Sequence, residues 1–194
     1  MNIKSVIKIL CGMLLTSTSV PGHADTAGLN INEDGIEIHY QKQLIEYKEY
    51  RILPTYSFLY SQETWPHTLL LRADGEIISF THTFGDGYTA APKVIALIAD
   101  YRNNDIIAPA IGGVAHFPKG GKIPFDIDAD VFWAPPPFAL IDGQFLWGMS
   151  IQGHYPLPQD NELRFGIRKI NASTKQGPHG SLEQGIFIGL ASFF

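Results

Sequence analysis

Asp126, Asp128 and Asp130 stand at every second position of one segment. On an extended strand that spacing puts three carboxylates on one face, about 7 Å apart. The next two segments repeat the device: Gln152 and His154, then Glu162, Arg164 and Arg168, occupy the corresponding polar positions. Facing one another across an interior, Asp126, Asp128 and Asp130 would pair with Arg164 and Arg168, and paired charges fill a space too narrow for a water channel. Left apart, the same side chains line a polar conduit for small solutes. A row of aspartates could also hold a hard cation, but no D-x-D-x-D-G loop completes such a site, so no metal and no cofactor is expected. Hydrolysis would need a serine, a histidine and an acid brought together. Ser150 and His154 share a strand face but lie about 13 Å apart along it. Neither G-x-S-x-G nor H-E-x-x-H occurs, and no catalytic residue is assigned. His82, His116, His154 and His179 read as separate polar or loop residues.

The elements that would position these groups are strands. No long stretch has helical period; segments of roughly ten residues alternate apolar and polar, each bounded by Gly, Pro, Asn or Asp. From Phe145 to Leu157 the odd positions Phe145, Trp147, Met149, Ile151, Tyr155 and Leu157 are apolar, against Gly148, Ser150, Gln152 and His154. Leu163, Phe165 and Ile167 oppose Glu162, Arg164 and Arg168, and Ile127, Val131 and Trp133 oppose the three aspartates. Ile36, Ile38 and Tyr40 oppose Glu37, His39 and Gln41, while Tyr56, Phe58 and Tyr60 oppose Thr55, Ser57 and Ser61. Less regular strands fit about 67–73, 76–84, 94–102 and 106–117, and a last one runs from Gly185 to Phe194. Asp74-Gly75 and Gly85-Asp86-Gly87 read as hairpin turns, and Gly112-Gly113 as a place where backbones approach closely. The sum is ten strands, with eight the alternative because Arg72 to Ile77 also reads as a bulge in one strand and the amino-terminal segments admit a second assignment.

Alternation alone does not say which face is inside. A soluble sandwich turns its apolar face inward, whereas a membrane barrel turns it to lipid and the polar face to the lumen. Three features favour the barrel. Aromatics gather toward segment ends (Tyr40, Tyr47, Tyr50, Tyr60, Trp65, Tyr101, Trp133, Phe145, Trp147 and Tyr155) as interfacial girdles do. Connections read back from the carboxyl end alternate long (173–184, 134–143) and short (157–161, 118–122). The chain stops on Phe194, a terminal aromatic of the kind the outer-membrane assembly machinery reads.

The first 24 residues divide into a basic start with Lys4 and Lys8, an apolar stretch from Ile9 to Leu15, and Gly22-His23-Ala24 as a cleavage site, the plan of a secretory signal peptide. The apolar stretch is too short to cross a bilayer as a helix, and no later one comes close. Removing the leader takes the 14 basic residues to 12 against 19 acidic ones, a net charge of −7. An acidic chain without a Lys/Arg cluster is a poor partner for nucleic acid. Cys11 is the only cysteine and lies in the leader, so the exported part builds no disulfide.

The carboxyl third carries a family likeness. Asp130-Val131-Phe132-Trp133-Ala134-Pro135, Arg164-Phe165-Gly166-Ile167-Arg168-Lys169-Ile170 and the run from Gly185 to Phe194 together resemble the YfaZ family of small outer-membrane proteins. Leu29-Asn30-Ile31-Asn32 resembles its amino-terminal opening. The resemblance implies a small porin-like barrel and brings no established reaction or catalytic residues.

The expectation is therefore all-β: a signal peptide over 1–24 and, over 25–194, a small antiparallel outer-membrane β-barrel with both termini periplasmic. Its lumen would be charged, sealing it or passing small solutes, and its partners would be outer-membrane lipid and the assembly machinery. A soluble periplasmic β-sandwich that binds a ligand and a lipid-modifying enzyme of the outer membrane stand as alternatives. Nothing in the sequence speaks to oligomeric state.

Overall fold

Alternating segments joined by tight turns fold as antiparallel hairpins, and a row of hairpins loses its exposed edges only by closing on itself. The computed structural model describes residues 25–194 apart from 43–44, 48–49, 63–67, 86, 102–103, 121–122, 137 and 176–179. The leader over 1–24, Trp65, Asp86 and His179 lie outside the described residues, as do the side chains of Tyr47 and Tyr50.

The strands are β1 (Thr26–Asn32), β2 (Gly35–Gln41), β3 (Ile45–Tyr47), β4 (Tyr50–Ser61), β5 (Thr68–Ile77), β6 (His82–Phe84) and β7 (Tyr88–Tyr101). They continue as β8 (Asn104–Phe117), β9 (Asp126–Ala134), β10 (Leu140–Ile141), β11 (Gly143–Leu157), β12 (Asn161–Thr174) and β13 (Gly180–Phe193). Both β2 and β3 pair with β4, both β5 and β6 with β7, and both β9 and β10 with β8, so each couple forms one interrupted strand. The seam runs from Thr26↔Phe193 to Asn32↔Phe187 between β1 and β13. Reciprocal 2.9 Å hydrogen bonds between the backbones of Asp25 and Phe194 extend it. The result is a closed ten-stranded antiparallel barrel, and the sandwich alternative is overturned.

Two expected strands are placed differently. The segments 67–73 and 76–84 do not form a hairpin: β5 runs through Asp74 and Gly75 in register with Thr55 and Pro54, and a 3-10 turn at Ile78–Phe80 separates it from β6. The strand lost there is regained at the start, where β1 pairs on both sides. The rhythm of long and short connections also fails. β12 and β13 extend through most of 173–184, whereas the turn expected over 118–122 is a longer connection, 118–125, that joins β8 to β9 on the side of the termini. Turns at Gly85 (φ 42°) and Gly87 (φ 94°) sit between β6 and β7 as expected.

Inside, the barrel divides into two halves. In the half away from the termini the inward side chains are mostly apolar and shut off: Leu146 and Leu182 are 0 % exposed and Leu97 1 %, and the small polar side chains of Ser61, Thr68, Ser173 and Thr174 are buried there too. Leu59, Leu70, Ile106 and Ile170 complete this packing. Tyr101, expected in an outer aromatic girdle, points into it instead and is buried, because on β7 it shares the parity of Leu97 and Ala99. The half toward the termini carries the charges.

Phe132 marks the boundary. Its register partners are Gly112 on β8 and Gly148 on β11. A Cβ on Gly112 would stand 2.9 Å from the Phe132 Cβ, and one on Gly148 would strike the Phe132 ring. A narrow lumen admits one large side chain per level only if its neighbours give way. Gly148→Val is therefore expected to destabilise the barrel by roughly 1–3 kcal/mol through overpacking. At Gly113 the nearest atom to an added Cβ is 3.5 Å away, so Gly113→Val should change stability by no more than about 0.5 kcal/mol. Denaturant midpoints of the refolded variants compare the two.

The outer face is the reverse of the inner one. Ile186 is 75 % exposed and Ile111 64 %, and Ile188, Leu190, Val131, Ile98, Ile167 and Ile151 are exposed around them. Water does not tolerate an apolar surface of that extent on a monomer.

Candidate functional site

The charged half of the lumen is built by alternation: on each strand the residues between the outward aliphatics have nowhere else to point. Three groups of ion pairs result.

The first is a square. Arg72 Nε lies 2.6 Å from Asp74 Oδ1 and Arg72 Nη2 3.2 Å from Asp130 Oδ1, while Lys93 Nζ lies 2.6 Å from Asp130 Oδ2 and 3.2 Å from Asp74 Oδ2. Two cations and two carboxylates alternate, so each charge has two opposite neighbours and none of the same sign in contact. The second is a chain across the barrel wall. His116 lies between Glu76 (Nε2 to Oε1, 3.1 Å) and Asp128 (Nδ1 to Oδ1, 2.7 Å). His154 Nδ1 is 2.8 Å from Glu162 Oε1. Its Nε2 stands 3.2 Å from Asp128 Oδ2, near enough for attraction but out of line for a hydrogen bond. Arg164 Nε donates to Glu162 over 2.7 Å, and its guanidinium meets His39 on the far side of the seam. The third group centres on Arg168, 2.7 Å from Glu37 and 3.4 Å from Glu183. Asn30 donates to Glu37 and Asn32 to Glu183.

Two guanidiniums also close the floor of this layer. Arg72 stacks 4.7 Å from the centroid of Phe132 and Arg168 4.8 Å from that of Phe187, so cation–π contacts join the ionic layer to the apolar half beneath it. Above the floor a cavity of about 170 Å³ remains. The side chain of His116 is 35 % exposed and that of Asp128 22 %, against 8 % for Asp74 deeper down. The recess therefore opens toward the end that carries the termini and is blind at the other.

Of the residues singled out from the sequence, Asp128, Asp130, His154, Glu162, Arg164 and Arg168 all point into this layer and are paired there. The expected partners were wrong. Asp130 meets Arg72 and Lys93, and Asp128 meets two histidines, while Arg164 and Arg168 are taken by Glu162, Glu37 and Glu183. Strand tilt sets which levels face one another across a barrel, and the period of one strand does not contain it. Asp126 stands apart from the network and accepts a 2.6 Å hydrogen bond from the backbone of Lys119 in the connection to β9. Gln152 lines the recess. Phe194 is half-exposed at the seam. His154, the histidine that shares a strand face with Ser150, turns both ring nitrogens toward carboxylates, Asp128 and Glu162.

Several members of the layer do not follow from local sequence. His116 reads as a lone polar residue but bridges two strands. Asp74 reads as a turn residue but is a corner of the square. The signal was present: Arg72, Asp74 and Glu76 alternate as Asp126, Asp128 and Asp130 do, interrupted only by the turn-like Gly75. Lys93 gave none, lying next to Pro92 in an otherwise apolar run.

No family model matches the chain, and no curated protein matches it. Among solved structures it is similar to a KdgM porin, at 9 % sequence identity and a TM-score of 0.42, over 88 % of this chain and 99 % of that one. It is also similar to a KdgM porin in complex with disordered oligogalacturonate, at 9 % identity and a TM-score of 0.39, over 88 % of this chain and 99 % of the other. The ten-stranded closure itself stands on the strand registers of this chain.

Proposed function

We propose that this chain is a sealed outer-membrane barrel: lipid surrounds its aliphatic outer face, the apolar half blocks passage, and the ionic half forms a recess open to the periplasm. One observation carries the reading, the inversion of the two faces. Ile111, Val131, Ile186 and Ile188 stand exposed outside while Asp130, Arg164 and Glu183 are buried inside. Only a solvent less polar than the lumen makes that arrangement stable, and a closed barrel leaves lipid no unpaired backbone edge. The residues from Leu97 to Ile170 that fill the far half support a seal over a narrow pore. In this reading both termini are periplasmic, a cleaved leader exports the chain, and the assembly machinery reads Phe194 during insertion. Membership of the YfaZ family, suggested by the carboxyl third, belongs to the same proposal.

The expected result is a protein that sediments with the outer membrane, migrates differently with and without boiling, and leaves a planar bilayer silent. Recovery in the osmotic-shock fluid would overturn the membrane reading. Stepwise conductance that changes in Asp128→Asn would overturn the seal and favour a narrow pore.

A further inference from the structure

The recess has two kinds of wall. Its ionised side chains are already committed to one another, so a charged guest would have to leave a buried charge unpaired. Gln41, Thr55, Ser57, Ser150 and Gln152 also line it, and none of these five side chains hydrogen-bonds to another described residue. Nor are their polar atoms shut away from the space. They are not scattered: Thr55 and Ser57 come from β4, and Ser150 and Gln152 from β11. These two strands lie five steps apart in either direction around the ring, on opposite walls. The cavity of about 170 Å³ is far larger than the ~10–15 Å³ that a single water needs on the same measure.

We propose that the recess is a binding site for a small neutral polyhydroxylated solute, of glycerol to monosaccharide size, held between the hydroxyl and amide groups of β4 and β11. A neutral guest exchanges hydrogen bonds with water for hydrogen bonds with these groups and leaves every ion pair standing. Sites of unspent hydrogen-bonding groups also discriminate well, because an ill-fitting guest strands them without partners. The inference rests on the sealed-barrel reading, since in an open passage the same groups would only line a path.

The test is equilibrium dialysis of radiolabelled D-glucose, with glycerol as a smaller competitor, against the refolded protein in detergent micelles. Bilayer conductance of the same preparation is recorded separately, so that failure of the seal and failure of binding are read independently. The expected result is saturable binding of D-glucose, at least tenfold weaker for D-glucuronate and D-glucosamine, and at least tenfold weaker in Thr55→Val combined with Gln152→Met. Heat-modifiable migration checks that this pair folds; if it does not, Ser57→Ala with Ser150→Ala takes its place. Absence of saturable glucose binding, equal binding of the charged sugars, or unchanged binding in a folded variant each overturns the proposal.

Discussion

Asp130→Ala is expected to cost the folded barrel about 3–5 kcal/mol, the usual penalty for removing one partner of a buried ion pair. Two cations lose their carboxylate at once. Arg72 and Lys93, each 12 % exposed, hold Asp130 at 3.2 and 2.6 Å, and without it they face each other with only Asp74 between them. Asp130→Asn should cost less, because its amide oxygen still accepts from Lys93. Asp126→Ala serves as the internal comparison. Its carboxylate holds a loop backbone rather than a cation, so its loss should cost about 1 kcal/mol, the worth of an ordinary hydrogen bond. Reversible denaturant unfolding in phospholipid vesicles measures all three. Equal losses for Asp126→Ala and Asp130→Ala would mean that the square contributes nothing beyond solvated surface charge.

The second large effect concerns access. With Cys11 the only cysteine in the sequence, a single added thiol reports on one place in the barrel. Gln152→Cys lies on the recess and should react with a bilayer-impermeant maleimide from the side of the termini alone. Ala99→Cys lies in the apolar half, where Ala99 is 1 % exposed, and should resist the reagent from both sides. If it reacts only through local opening that costs about 3 kcal/mol, its labelling is slowed by roughly a hundredfold. Alanine to cysteine adds one sulfur atom, so the reporter disturbs the packing little. Labelling of Ala99→Cys from both faces at the rate of Gln152→Cys would reveal a continuous aqueous path and sink the seal.

Much of this arrangement was legible in the residues. The parity of β9, β11 and β12 assigned Asp128, Asp130, His154, Glu162, Arg164 and Arg168 to one face, and a closed barrel turns that face inward. Parity failed where the ladder is irregular. The register shifts between Ile170 and Asn171, so counting back by twos from Phe194 turns Leu182 outward, although Leu182 is fully buried. Asp74-Gly75 reads as a turn to any local rule, and only the partners Pro54 and Val94 on either side of Gly75 make it strand. The division into a greasy half and an ionic half was invisible as well. It depends on which stretches of several strands reach the same height, Leu97 beside Leu146 but Lys93 beside Asp130, and tilt rather than composition decides that.

The ion-pair network, with the asparagines of β1 that bond to it, takes a side chain from every barrel strand except β4, whose lumen residues Leu53, Thr55 and Ser57 join no ion pair among the described residues. A strand that docks one residue out of step turns its inward groups toward lipid, at roughly 2–4 kcal/mol for a basic residue at mid-membrane. The charge-bearing staves thus check their own alignment as the barrel zips shut. β4 carries no such checksum, and its correct docking is underwritten by β2 and β5 on its flanks.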